Sequence, residues 1–122
     1  MNIAIMSCEQ IKDEACIGCQ RCLTAMHRRE GELERYADDP DARIVAIFHC
    51  GGCPGNAPVV RMKQLQTWMA PMGETVDVVH LGTCIKNHCP HKEEIVAAVK
   101  MKAGVEVVEG THPYAPVDIF AH

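Results

Sequence analysis

Four short runs of apolar, largely β-branched residues recur along the chain, and each has the length of a β-strand. The second run, ARIVAIFH, is apolar at almost every position, which is typical of a strand covered on both faces of a sheet. The pattern therefore predicts four strands, over 2–7, 42–49, 75–81 and 105–109.

Helical periodicity occupies the intervals between these runs. In the second interval Met62, Leu65 and Met69 recur at i, i+3 and i+7, which places them on one face of a helix. Gly104 follows the third periodic segment, and glycine at that position is a typical helix stop. The spacing predicts three helices, over about 19–36, 57–69 and 91–102.

The order of these elements indicates the fold class. Strands that alternate with helices are typical of an α/β sheet with parallel strands. We therefore expect a three-layer α/β fold, in which a four-stranded, mainly parallel sheet is flanked by helices. No repeat or interdomain linker interrupts the 122 residues, which are enough for one hydrophobic core. The prediction is a single domain over residues 1–122.

Charge and apolar length argue against several classes of function. The formal charge of −4, with one Trp, two Tyr and two Phe, gives neither a basic stripe nor a stacking platform for nucleic acid. No apolar stretch is long enough to span a bilayer, and the N-terminus turns polar too soon for a signal peptide. We expect a cytoplasmic protein that binds neither nucleic acid nor membrane, and the sequence leaves its oligomeric state open.

Cysteine is the outlying residue type, with eight in 122 positions. Because reducing thiol pools disfavour disulfides in a chain without an export signal, clustered cysteines indicate metal ligands or redox groups. Three cysteines and one imidazole stand at the predicted strand ends: Cys8, Cys50, Cys84 and His112. The other cysteines and a second histidine lie in the loops that follow: Cys16, Cys19, Cys22, Cys53, Cys89 and His91. Since parallel strands end at one edge of a sheet, we expect all of these side chains at that edge, where α/β sheets bind ligands.

The cysteine spacing is compatible with two metals. The segment CIGCQRC matches the first three ligands of bacterial-type [4Fe–4S] ferredoxins, and a remote cysteine would supply the fourth. The pairs Cys50/Cys53 and Cys84/Cys89 have spacings that suit zinc. Many soft thiolates beside glycine amides favour an iron–sulfur cluster first and zinc second. Electron transfer, sensing or metal handling would follow, with a redox partner protein in the case of electron transfer.

The segment HCGGCPGN, between a strand and a helix, has two further interpretations. Gly51 and Gly52 allow positive φ, so the backbone amides can approach a cluster or a thiolate closely. The same features suit a thiol oxidoreductase or sulfur-handling enzyme, in which Cys50 attacks and Cys53 resolves. A structural zinc clip under an interaction domain is the other alternative.

Three blocks, FHCGGCPG, VHLGTCIKNHCPH and VEVVEGTH, together resemble the CGGC-domain proteins, which are small bacterial and archaeal proteins. The resemblance covers nearly the whole chain and implies metal binding through cysteine and histidine. The ligands that it implies are Cys8, Cys16, Cys22, Cys50, Cys53, Cys84, Cys89, His91 and His112. Cys19 departs from the family pattern, because it adds a third cysteine to the early segment.

Overall fold

The computed structural model of the protein describes residues 1–8, 20–52 and 56–114, with the exception of the side chain of His88. Its four strands are β1 (Asn2–Ser7), β2 (Arg43–His49), β3 (Val78–Leu81) and β4 (Glu106–Glu109). Its α-helices are α1 (Arg21–Arg28), α2 (Ala57–Met69), α3 (Thr83–His88) and α4 (Lys92–Ala103). Short 3₁₀ helices cover Gly31–Tyr36 and Ala70–Met72.

The strands form one sheet in the order β2-β1-β3-β4, and all three pairings are parallel. Side chains alternate between its faces, as the pleat of a strand requires. On one face Met6 and Leu81 pack in a core with α2 and α4, and on the other Ile3 and Val78 pack with Met26 of α1 and the 3₁₀ helix. The predicted three-layer α/β fold is confirmed.

Both ends of α2 match the prediction, whereas the first predicted helix divides in two. It ends at Arg28, because Arg29 adopts a left-handed conformation with φ of 55° and its guanidinium donates to the carbonyls of Met26 and Tyr36. The chain then continues as the 3₁₀ helix. Its first residue, Gly31, has a φ of 61°, and a Cβ there would lie 2.4 Å from the carbonyl oxygen of Thr111.

Helix α3 is the element that the periodicity does not predict, since its residues were expected to form a loop. It has six residues, too few for a repeating apolar stripe, and the buried Ile85 anchors it to the core. The prediction that the third strand extends to Cys84 is therefore wrong, because β3 ends at Leu81 and α3 begins at Thr83. Cys84 is the second residue of this helix and Cys89 is its C-cap.

A buried hydrogen-bonded pair fixes the end of β4. His80 is completely buried, with Nδ1 2.9 Å from the carbonyl oxygen of Gly110 and Nε2 2.6 Å from the hydroxyl of Tyr36. Because a carbonyl only accepts, Nδ1 carries the proton and donates it, and Nε2 accepts from the tyrosine. Burial lowers the pKa of His80 and raises the pKa of Tyr36. The pair ties the 3₁₀ helix to the segment that leads from Gly110 to His112.

The substitution Tyr36→Phe tests this pair. It leaves Nε2 of His80 buried without its donor, so we expect the free energy of unfolding to fall by about 1–3 kcal/mol in urea titrations. The matched control is Tyr114→Phe: the hydroxyl of Tyr114 donates to Glu30 at a partly buried position, and its loss is expected to cost less than loss of the fully buried bond. Equal losses in the two variants would contradict the structural role of the pair.

The pKa of His80 also predicts a pH dependence. Because the pKa in the folded state lies below the ordinary value of 6.5, the unfolded state binds more protons as the pH falls. The stability that this histidine contributes is complete above about pH 6.5 and is lost as the pH falls through the folded-state pKa. We expect the free energy of unfolding to decrease between pH 7.5 and 5.5, with a smaller decrease in His80→Gln. An identical slope in both proteins would exclude this contribution.

Candidate functional site

The five cysteines within the described residues all lie at the carboxyl edge of the sheet. Cys8 and Cys50 directly follow β1 and β2, Cys84 and Cys89 lie in the segment after β3, and Sγ of Cys22 in α1 contacts Thr111, two residues after the end of β4. Backbone hydrogen bonds hold the neighbouring strand ends together. The expected gathering of these five thiols at one edge therefore agrees with the fold.

Cys8 and Cys84 are joined by a direct contact. The backbone N–H of Cys8 points at Sγ of Cys84, with a nitrogen–sulfur distance of 3.4 Å. Gly82 permits this approach, because a Cβ at that position would lie 3.1 Å from the same sulfur. An amide hydrogen bond to sulfur stabilises a thiolate, whether the thiolate binds a metal or reacts as a nucleophile.

The loop after β2 has the glycine conformation that the sequence predicts. The N–H of Cys50 donates to the carbonyl oxygen of Ser7 at 2.8 Å, which fixes the loop to the end of β1. Gly51 and Gly52 then adopt φ values of 90° and 102°. A Cβ at Gly51 would lie 2.7 Å from Nε of Arg61, whereas no atom lies within 4 Å of one at Gly52. Gly51 is therefore needed for close packing against α2, whereas the space beside Gly52 is open.

Four of the thiols share an apolar environment. Cys8 and Cys50 are only 6% and 4% exposed and belong to the core between the sheet, α2 and α4, where Cys84 and Cys89 pack against it. Val59 of α2 belongs to the same core. Water is therefore largely excluded from Cys8 and Cys50, and electrostatic interactions of a thiolate there are screened less than at the surface.

Cys22 has a different neighbour. Its Sγ lies 3.1 Å from the hydroxyl oxygen of Thr111, which is almost fully buried and lies 3.3 Å from the hydroxyl oxygen of Thr83. The sulfur is thus connected by hydroxyl groups to the first residue of α3. Sequence reasoning missed both threonines, because a hydroxyl residue after a strand carries no distinctive spacing.

His91 lies near the glycine loop. It lines a cavity of about 200 Å³ together with Gly52 and Glu94, and its Nδ1 is 3.8 Å from Oε2 of Glu94. The structure therefore brings this predicted ligand to the same side of the sheet edge as Cys50.

His112 is held through its ring. Nδ1 accepts a hydrogen bond from the backbone N–H of Tyr114 at 3.1 Å, and the two rings stack with their centroids 5.5 Å apart. Burial, and to a smaller extent the positive charge of Arg21, keep the pKa of His112 below its usual value. The neutral ring therefore carries its proton on Nε2, and metal binding through that nitrogen would require the other tautomer.

Within residues 1–8, 20–52 and 56–114, no three Cys, His, Asp or Glu side chains are grouped so that they could hold a metal ion. Cys16, Cys19 and Cys53, which were also predicted as ligands, lie outside the described residues. The complete predicted set of site residues stays a prediction.

Comparison with known proteins identifies the family. The model of the CGGC domain matches residues 2–112. Uncharacterized protein MJ0582 of Methanocaldococcus jannaschii is 30% identical over 119 residues, which cover 92% of this chain and 87% of that protein. Uncharacterized protein MJ0766 of the same organism is 32% identical over 72 residues, which cover 56% of this chain and 98% of that protein.

No solved structure matches the chain significantly. Among the helices of the described residues, none has the length and apolar character needed to cross a membrane. The match to the family model covers nearly the whole chain, in agreement with the three sequence blocks described above. The chain belongs to the CGGC domain family.

Proposed function

We propose that this protein binds a metal through cysteine thiolates at the carboxyl edge of its sheet, and that the metal is an iron–sulfur cluster, with zinc as the alternative. The observation that carries the proposal is the gathering of all five described cysteines at that edge. The contact between the N–H of Cys8 and the sulfur of Cys84 supports it, because amide donors to sulfur are typical of thiolate metal sites.

The donor chemistry fits a soft metal, since thiolates are the ligands that iron–sulfur clusters and zinc prefer. The described residues alone form no group of three ligands. A four-ligand site would therefore combine no more than two of the described thiols, such as Cys8 and Cys84, with thiols from the segments that hold Cys53 or Cys16 and Cys19. An iron–sulfur cluster would supply one-electron redox chemistry, whereas zinc would stabilise the fold.

Residues around the thiols provide an environment that suits such a site. The apolar core around Cys8 and Cys50 excludes water, and the left-handed glycines present backbone to the loop instead of side chains. Arg61, whose Nε lies beside Gly51, brings a positive charge to the same loop. A cation there would offset part of the negative charge that several thiolates create.

A thiol oxidoreductase based on Cys50 and Cys53 is the competing function. Reactive cysteines are usually partly exposed, so that a substrate disulfide can reach the sulfur. Cys50 is 4% exposed, and its burial favours a role as a ligand over a role as the attacking thiol.

The test is purification without oxygen, followed by metal analysis and a UV–visible spectrum. We expect iron in stoichiometric amounts with visible absorbance, or stoichiometric zinc in a colourless protein. Cys8→Ser and Cys84→Ser should each lower the metal content to less than about half, because hydroxyls bind these metals poorly. The control Ala25→Ser buries a hydroxyl on the opposite face of the sheet without removing a thiol, and it should retain the metal.

Two results would contradict metal binding by these thiols. One is a folded protein that contains no metal and whose turnover on disulfides is abolished by Cys50→Ser. The other is a protein that retains its full metal content in both Cys8→Ser and Cys84→Ser. Unfolding measurements on each variant separate the loss of a ligand from the loss of the fold.

A further inference from the structure

A second cavity lies beyond the carboxyl ends of β3 and β4. Its volume is about 340 Å³, near the lower end of the range for small-molecule sites. Its lining includes polar groups from α3 and from the segment after β4, as well as the ring of Tyr114. Its polar lining residues include Glu32, Thr83, Lys86 and His112.

The walls of this cavity are fixed by close backbone packing. Gly31 and Gly110 have φ values of 61° and 99°, and a Cβ at either position would lie within 3.0 Å of a neighbouring atom. The hydroxyl of Thr83 donates to the carbonyl oxygen of His112 at 2.7 Å. The nearly fully buried Thr111 adds a hydroxyl contact to Thr83. A site with such walls is largely preformed, which reduces the ordering cost of binding.

Among the described lining residues, the cation able to bind an anion is Lys86, which is paired with the carboxylate of Glu32. Nζ of Lys86 is 3.6 Å from Oε1 of Glu32, while Oε2 of the same carboxylate is 3.1 Å from Arg35. Lys86 and Arg35 thus share the single carboxylate of Glu32. This local excess of positive groups contrasts with the formal charge of −4 on the whole chain. Because the Lys86–Glu32 pair is long and solvent-exposed, it is weak, and a bound anion can compete for the ammonium group.

His112 supplies a directed donor. Its Nδ1 is occupied by the N–H of Tyr114, so Nε2 carries the proton. The rings of His112 and Tyr114 stack against each other, and Pro113 is a further lining residue. A ligand with one charged end and a short hydrocarbon part matches this combination of one lysine, hydroxyl groups and an apolar surface.

We infer that this cavity binds a small organic acid through its carboxylate, with Lys86 and Nε2 of His112 as donors and Tyr114 against the hydrocarbon part. A monocarboxylate is favoured over phosphate, because phosphate sites usually present arginine or several cations, whereas the described lining contributes one lysine. This site goes beyond the proposed metal binding, and occupancy of the cavity does not depend on which metal the thiols hold.

Isothermal titration calorimetry of the purified protein with pyruvate, at constant ionic strength, tests this site. We expect saturable binding that Lys86→Gln weakens by about tenfold, the effect of losing one charge-assisted hydrogen bond. His112→Phe keeps an aromatic ring beside Tyr114 but removes the Nε2 donor, and it should weaken binding as well. The matched control is Lys100→Gln, an exposed lysine in the last turn of α4, which should bind pyruvate as the unmodified protein does.

Three results would overturn the inference. They are the absence of saturable binding, an affinity that is the same in Lys86→Gln and Lys100→Gln, and binding of inorganic phosphate at least as tight as that of pyruvate. Metal content measured on the same samples shows whether the thiol site is intact. A failure of the carboxylate site is therefore distinguishable from a failure of the proposed metal binding.

Discussion

The parallel pairing of the four strands is the constraint on which the rest of the structure depends. It brings the carboxyl ends of all four strands to one edge of the sheet, and backbone hydrogen bonds continue the pairing just past those ends. The N–H of Cys50 donates to Ser7, and that of Gly110 donates to Leu81. Residues distant in sequence are thereby held beside one another by backbone hydrogen bonds. The thiols and the polar cavity both lie at this edge because the sheet has a single direction.

Helix α3 connects the two sites. Its first residue, Thr83, donates to the carbonyl oxygen of His112 beside the cavity, and its second, Cys84, receives the N–H of Cys8 on the thiol side. Consecutive side chains of a helix point in different directions, so a six-residue helix is enough to serve both sites. Because both contacts are made by α3, a change in the position of this helix would alter the thiol site and the cavity together.

The strand order along the chain, the bounds of α2 and the need for left-handed glycines after Cys50 could be predicted, because each depends on local periodicity or on the special freedom of glycine. Helix α3 could not, since six residues contain no apolar repeat. The hydrogen bond between His80 and Tyr36 could not be predicted either, because the two residues are 44 positions apart and nothing in the local pattern pairs them. The cavity depends on similarly long-range contacts between side chains.

Thiolate ligation of a metal at the sheet edge can be measured directly by X-ray absorption spectroscopy at the absorption edge of the bound metal. Sulfur scatterers at about 2.3 Å should dominate the first coordination shell, whether the metal is zinc or the iron of a cluster. A first shell composed of nitrogen and oxygen alone would contradict metal binding by the gathered cysteines, because they would then not be the ligands.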